Sequence, residues 1–591
     1  MTVALVLAGE ADAGLCGQLA ALGVRRVDTA ERTGPGLLTV AAAARAAGER
    51  VLVCADTVPE QVLAALLGAG GTAAFTGMNA AAAGPAAGAL VVDRPDLDAL
   101  AEAAESLAAT DSAPPTVGAL IGELTRGGVT VRVLDAGSDG QGVLAQLVVD
   151  PAARDVARWA AGRQLTPAAL FGCSLGLGLL AAVWFSDLAI RAKLLAAAAL
   201  AVSFLAGRAG SLLAATNRSA PAVTWLGAAC GLLTEFGVYA GLAVSAALAG
   251  PPAPGAAGLT GIFGGALQPT TVAGWEGAGQ AGVWRLAILA MLVVGVRRMA
   301  DLGYEHEAGA PVGVAPRSVL HTLEQAAIFP AGERYVVIVA TAILFGPRVT
   351  FLVLVAWGAV AAGGVLAAQV ARSAGLDRAA ASRPGDARPG GGLAAYRGDG
   401  VVSSWLGRLV QGRLPPLPPV LVGLFVTCVL AFLGLGNLPG ILVLTPAEAM
   451  MLAALGARHP HDGRLDWLVP ALLLAGEGVF LAALGLSHRV AGWLVFALLA
   501  AVIMRHVDLA YRARAGRGVP ADVFGLGWDG RMLLAGVAAV FGVAPFAYAT
   551  ISVYLWLLFC WDFLSGWLGS ADGDAVDRDG PRRRRRAKAA A

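Results

Sequence analysis

Uninterrupted apolar stretches of membrane-spanning length begin at Leu165 and recur almost to the C-terminus. A bilayer span takes about 20 mostly apolar residues, and its backbone polar groups must be paired without help from water. These runs therefore restrict the chain beyond residue 165 to membrane helices. The segments that qualify are 167–185, 189–206, 221–249, 282–300, 332–347 and 349–371, then 417–436, 441–457, 467–486, 490–510, 531–545 and 546–568. They make about twelve spans in two blocks of six. Only 14% of the residues are charged and 57% are hydrophobic, whereas a soluble domain carries about 25% charge. Disorder, collagen-like repeats and a secreted disulfide scaffold are excluded. The six cysteines are scattered, with no CxxC or Cys/His spacing. A net charge of +2 offers no basis for a nucleic-acid partner.

Loop charges set the expected orientation. The segment 250–281 lacks Arg and Lys and belongs outside. Arg297, Arg298, Arg317 and Arg334 fall in 297–334. The stretch 372–416 holds seven arginines, and the tail runs from Arg582 to Arg586 plus Lys588. Two blocks of six spans bring all three segments to one face. The expectation is a cytoplasmic-membrane protein with both termini cytoplasmic. Its parts are an α/β domain at 1–150, a six-span domain at 151–373, a linker at 374–416, a six-span domain at 417–568 and a basic tail at 569–591.

In residues 1–150, short apolar runs alternate with helix-length segments. Strands are predicted at Val3–Ala8, Arg50–Cys54, Ala73–Phe75, Ala89–Val92, Val129–Leu134 and Ala145–Val149. Helices are predicted at Ala11–Leu22, Pro59–Leu67 and Leu97–Leu107. The alternation argues for a Rossmann-like α/β domain with a largely parallel sheet. Its opening, Leu7-Ala8-Gly9-Glu10-Ala11-Asp12-Ala13-Gly14, resembles nucleotidyltransferase domains. That resemblance implies a Gly-rich triphosphate loop and a metal-binding aspartate at Asp56. Here the loop carries Glu10 and Asp12, the wrong sign for a triphosphate. Asp56 also reads as a helix cap.

The segment from Ala157 to Pro167, a short basic amphipathic stretch ending in Leu165-Thr166-Pro167, resembles the start of CDP-alcohol phosphatidyltransferases. So do Glu235-Phe236-Gly237-Val238-Tyr239-Ala240-Gly241-Leu242, Arg298-Met299-Ala300-Asp301-Leu302-Gly303-Tyr304 and Phe329-Pro330-Ala331-Gly332-Glu333-Arg334. The resemblance covers residues 155–373. It implies a six-span bacterial enzyme of phospholipid biosynthesis, membrane lipids as partners, a homodimer, and two divalent cations held by four aspartates. Counting back from Glu235, those aspartate positions fall on Ala206, Ala209, Gly227 and Gly231. From Leu188 to Thr234 there is no Asp or Glu in any register. Hard cations need oxygen ligands, mostly charged, so no cofactor is predicted for this block. Mg²⁺ or Mn²⁺ enters only if the chain is an enzyme after all. The expectation is a pseudoenzyme of that descent, in which Arg208 and Arg218 serve as positive-inside anchors or hold a phosphate or lipid head group at the old pocket. Glu235, inside a span, is expected to pair with an arginine.

The second block concentrates ionisable residues at membrane depth. Glu477 lies within a span, and Arg505, Asp508 and Arg512 share one helix face around His506. Asp529 and Arg531 follow in the next loop, and Asp562 lies in the last span. This block, about 395–570, resembles a bacterial membrane domain of unknown function that follows CDP-alcohol phosphatidyltransferase-like domains. Two readings stand. In one, Glu477, His506, Asp508 and Asp529 are catalytic and Arg505, Arg512 and Arg531 bind a phosphorylated head group. In the other, all are ion pairs and helix ends. Transport of a lipid precursor is a third reading, which broken helices would favour. His459 and His461 suit neither a helix-face metal pair nor a zinc motif.

Overall fold

The computed structural model describes residues 2–6, 24–29, 34–54, 73–75, 89–110, 120, 124, 132–134, 148–216, 221–249, 280–308, 329–380, 393–410, 413–434, 440–459, 461, 463–514, 522 and 524–564. Glu10, Asp12, Asp56, Arg218 and the basic tail lie outside these residues, as do the predicted helices Ala11–Leu22 and Pro59–Leu67.

The N-terminal strands are β1 (Thr2–Val6), β2 (Val24–Thr29), β3 (Arg50–Cys54), β4 (Ala73–Phe75), β5 (Ala89–Val92) and β6 (Arg132–Leu134). They form one sheet in the order β2-β1-β3-β5-β4-β6. Helices α1 (Gly34–Ala47) and α2 (Leu97–Thr110) pack on it. Val51 and Val53 of β3 and Leu90 and Val92 of β5 bury against Val40, Ala41 and Ala44 of α1 and Leu97, Leu100 and Ala103 of α2. The sheet is less parallel than the sequence suggests, because β5 runs antiparallel to both neighbours, β3 and β4. A four-residue apolar run carries no directional signal, so its alternation with helices could not show this. The stretch predicted as a strand at Ala145–Val149 is helical over its described end, residues 148–149.

Helix α3 (Asp150–Gly162) buries Ala153, Ala157 and Ala160, a stripe of i, i+4, i+7 spacing, against Ala209, Leu212 and Leu213. Thr166 then caps α4 (Pro167–Phe185) by accepting a bond from the Ala169 amide, with Pro167 at the first helical position. Next come α5 (Ile190–Thr216), α6 (Pro221–Leu248), α7 (Gln280–Ala308), α8 (Ala331–Leu344) and α9 (Pro347–Ala380). Small residues let α4 and α6 touch: a Cβ added at Gly241 would sit 2.1 Å from the Ala182 carbonyl oxygen. The second block contains α10 (Val401–Val410), α11 (Leu417–Leu433), α12 (Thr445–Met451), α13 (Val469–Ser487), α14 (Gly492–Arg514), α15 (Gly527–Val540) and α16 (Ala544–Leu564).

Among the described residues, seven helices are long and apolar enough to cross a membrane: Pro167–Phe185, Ile190–Ala214, Val223–Leu248, Pro347–Ala371, Asp466–Ser487, Gly492–Ala513 and Ala544–Leu564. Phe432, Phe546 and Trp561 present 87%, 75% and 74% of their surface outward. A soluble chain does not leave so many large apolar groups uncovered. The chain is a multi-pass membrane protein.

Among the described residues, seven helices and not the expected twelve meet the length and hydropathy of a span. At 1.5 Å per residue, the 14 residues of α8 and of α15 extend about 21 Å, short of a core of about 30 Å. Helix α11 has 17 residues. The apolar run at 441–457 breaks into a 3₁₀ turn, the seven residues of α12 and a second 3₁₀ turn. Helix α7 carries Arg285, Arg297 and Arg298 within its apolar stretch. Hydropathy registers how greasy a segment is, not whether it stays one helix. The orientation argument from two blocks of six loses its count accordingly.

The two blocks share one core. Helix α7 lies against α13 and α14, with Gly295 beneath Ile503 and Trp284 edge-on to Phe496. Trp225 of α6 meets Phe559 and Phe563 of α16. Inside the stretch expected as a linker, α9 continues to Ala380, and residues 393–397 form a 3₁₀ turn with Tyr396 and Arg397 buried.

Candidate functional site

A cavity of about 740 Å³ lies mainly between α4, α5, α6, α7, α8 and α9 of the first block. Its lining includes the apolar side chains of Phe171, Phe204 and Val293. It also includes Arg208, Arg297, Arg298 and Arg334 and, among the described residues, two acids, Glu235 and Asp301.

Each arginine is held in place. Arg208 Nε donates to Asp150 Oδ1 at 2.7 Å and Nη2 to Oδ2 at 3.2 Å, so α3 is pinned to α5 at the cavity edge. Asp150 opens α3, where a carboxylate also suits the positive end of the helix. Arg334 grips Glu235 through two bonds of 2.8 Å and donates a third, 3.0 Å, to the Phe329 carbonyl. This is the arginine partner that an intramembrane Glu235 calls for. Tyr239, one turn on from Glu235, donates to Glu235 Oε1 at 2.6 Å. Phe329 takes a left-handed φ of 56°, and its ring stacks on Trp357 at 4.9 Å. Asp301 accepts from Gln369 at 2.9 Å and lies 3.8 Å from Arg297.

The divalent-cation positions implied by the resemblance fall in and beside this cavity. Gly227 and Gly231 line it; Ala206 and Ala209 flank the lining residues Gly207 and Arg208 on α5. The two acids present are engaged by cations and hydrogen bonds. The donor set therefore does not fit a two-metal centre, and no step is assigned to one. A Cβ at Gly227 would press on the Phe171 ring at 2.7 Å, whereas at Gly231 it would meet nothing within 4 Å.

The second-block residues come together as one chain of ion pairs. Arg531 Nε donates to Glu477 Oε1 at 2.6 Å and Nη2 to Oε2 at 2.9 Å, while His506 Nε2 lies 2.9 Å from Oε2. Arg531 continues to Asp522 at 3.6 Å, and Arg505 bonds Asp522 at 2.6 Å. Arg505 also reaches Asp508 and Asp562, both of which Arg512 binds. Glu477, His506 and Arg531 are fully buried. Asp529 stands outside this chain. It accepts the backbone amides of Gly400 and Ser403, both at 2.7 Å, and so caps α10 from another element. Burial pushes its carboxyl above the usual range, and those two amides draw it back. None of Glu477, His506, Asp508, Asp529, Arg505, Arg512 or Arg531 lines the first-block cavity; Tyr511, between Asp508 and Arg512 on α14, does.

Sequence reasoning found Arg208 as a phosphate candidate but used Arg297, Arg298 and Arg334 for orientation and, for the last two, as parts of the motifs that carry the resemblance. Their convergence depends on packing of α5, α7 and α8, which no local pattern carries. Nothing local to Tyr511 signals its role, because its partner Arg298 lies in the other block.

His461 is buried beside Arg397, and burial first, then that guanidinium, pushes its imidazole down from 6.5 to about 4. Between these values the unfolded chain binds the proton and the folded chain does not. Stability therefore falls as pH drops from 6.5 to 4, by about 3 kcal/mol in full, and is unaffected by this group above 6.5. His461→Gln is expected to flatten the acid limb of a thermal-midpoint profile across that window. A variant profile parallel to the parent's would contradict the assignment.

Residues 387–582 match DUF5941, a family of unknown function. The match takes in α10 through α16 and all of the ion-paired chain. No curated protein matches this chain.

Proposed function

We propose that this is a membrane head-group-binding protein of CDP-alcohol phosphatidyltransferase descent, acting in envelope lipid metabolism without metal-dependent transfer. The reading rests on one observation: a cavity of about 740 Å³ sets four arginines against two acids that are already engaged. Guanidinium groups are suited to phosphate because their planar N–H donors match its oxygens in pairs. Low-dielectric walls strengthen each such contact. The apolar side chains in the lining suit the first carbons of an acyl-bearing ligand, so the ligand class is a phosphorylated lipid head group. On this reading the protein belongs to the cytoplasmic membrane, with lipids as its partners. The α/β domain is a platform in this reading, with no nucleotide assigned to it.

Gly231→Asp tests the reading directly. The position lines the cavity and has open space for a side chain, so the variant adds a carboxylate with little steric cost. Purified full-length protein in detergent is expected to bind dioleoylphosphatidic acid, and the variant at least about tenfold more weakly, the cost of placing like charges a few ångströms apart. EDTA should leave the parent's binding unchanged. Equal binding by the two proteins, or Mg²⁺- or Mn²⁺-dependent turnover of a CDP-alcohol by the parent, would overturn the proposal.

A further inference from the structure

We infer that Tyr511, supplied by the second block, is a positioning residue that holds Arg298 at the wall of the first-block cavity to receive a phosphoryl group. Arg298 Nη2 donates to the Tyr511 hydroxyl at 2.5 Å, and its guanidinium carbon lies 5.9 Å from the ring centroid. Both residues line the cavity. An arginine side chain is long and flexible, and a ligand that must immobilise it loses affinity to that ordering. A fixed hydroxyl removes the cost before the ligand arrives.

Tyr511 is itself firmly mounted. Asp508 and Arg512 flank it on α14, and Arg505 joins them one turn earlier. These three connect through Asp562 and Asp522 to Arg531, Glu477 and His506. The buried ion pairs of the second block thus tie α14 to α13, α15 and α16 at the level where Tyr511 leaves the helix. Gly295 of α7 packs under Ile503 of α14, which holds the two helices together one to two turns away. The cluster of the second block acts on the ligand only through this tyrosine.

The inference rests on the anion-binding reading of the cavity, and a double-mutant cycle separates the two. Full-length protein, Tyr511→Phe, Arg298→Gln and the double variant are titrated with dioleoylphosphatidic acid in mixed micelles and, separately, with inorganic phosphate. Tyr511→Phe keeps the ring and both neighbouring ion pairs and removes only the hydroxyl. It is expected to weaken binding three- to tenfold in the parent and to have no further effect in the Arg298→Gln background. Loss with both probes assigns the phosphoryl group alone as the ligand; loss with phosphatidic acid only assigns the lipid. Thermal midpoints taken alongside identify a folding defect, which would weaken binding equally in both backgrounds. Unchanged affinity in Tyr511→Phe, or an equal loss in both backgrounds, overturns the inference and leaves the cavity reading intact. Failure of the folded parent to bind either probe overturns the cavity reading and this inference with it.

Discussion

Replacing Arg531 by methionine is expected to destabilise the chain by about 3–5 kcal/mol, because it strands Glu477 as a fully buried carboxylate. Arg531 supplies two bonds to Glu477 and one to the Gly525 carbonyl, and it bridges toward Asp522. His506 remains beside Glu477 but is a single contact. The paired replacement, Glu477→Leu with Arg531→Met, removes both charges together. It should recover much of the loss, since a hydrophobic pair of similar volume avoids desolvating two ions. Thermal unfolding in detergent, followed by the midpoint of monodisperse protein, compares the single and double variants. A single variant no worse than the double would mean that Glu477 is not held as an ion.

The second large effect is expected at Arg334. Its fork closes on Glu235, which is 3% exposed, and its third bond supports the left-handed turn at Phe329. Among the described residues, Arg334→Ala leaves Glu235 with the Tyr239 hydroxyl as its hydrogen-bond donor and with the unbonded charge of Arg297. A loss of about 3–5 kcal/mol follows by the same physics. Arg334→Lys should not rescue it, because an ammonium cannot make two parallel bonds to one carboxylate. In addition, Arg334→Ala removes a cation from the cavity wall and so lowers affinity for phosphatidic acid in whatever protein remains folded. A lysine variant as stable as the parent would show that charge alone, without the paired geometry, sustains α6 against α8.

The sequence made several elements legible. The helices at 167–185, 190–216, 221–248 and 347–380 follow runs too apolar to be anything else. The strands Arg50–Cys54, Ala73–Phe75 and Ala89–Val92 stand where short apolar runs sit between turn-forming residues. The helix Gly34–Ala47 and the strand Val24–Thr29 were not read, because alanine-rich and Arg-containing stretches weaken the hydrophobic contrast on which periodicity depends. The run at 417–457 looked like two spans because its hydropathy is uniform. Its backbone turns at Gly434 and Gly440, both with positive φ, and its second half is mostly 3₁₀. Hydropathy counts residues; it does not detect where a helix stops.

The site was legible only in part. The absence of any acid between Leu188 and Thr234 is a fact of composition, and it alone removes the four carboxylates a two-metal centre needs. The need for a cation beside Glu235 is equally local, since a lone carboxylate within a membrane segment is too costly to leave unpaired. The identity of that cation as Arg334, 99 residues away, required α6 and α8 to be packed. The meeting of Arg298 with Tyr511 spans 213 residues and two blocks. Burial and chemistry are properties of a residue and its near neighbours, so the sequence by itself determined a membrane chain whose stretch from Leu188 to Thr234 carries no acid. Which cations surround the cavity, and which tyrosine steadies them, depend on helices brought together from distant parts of the chain. Only the tertiary structure decided that.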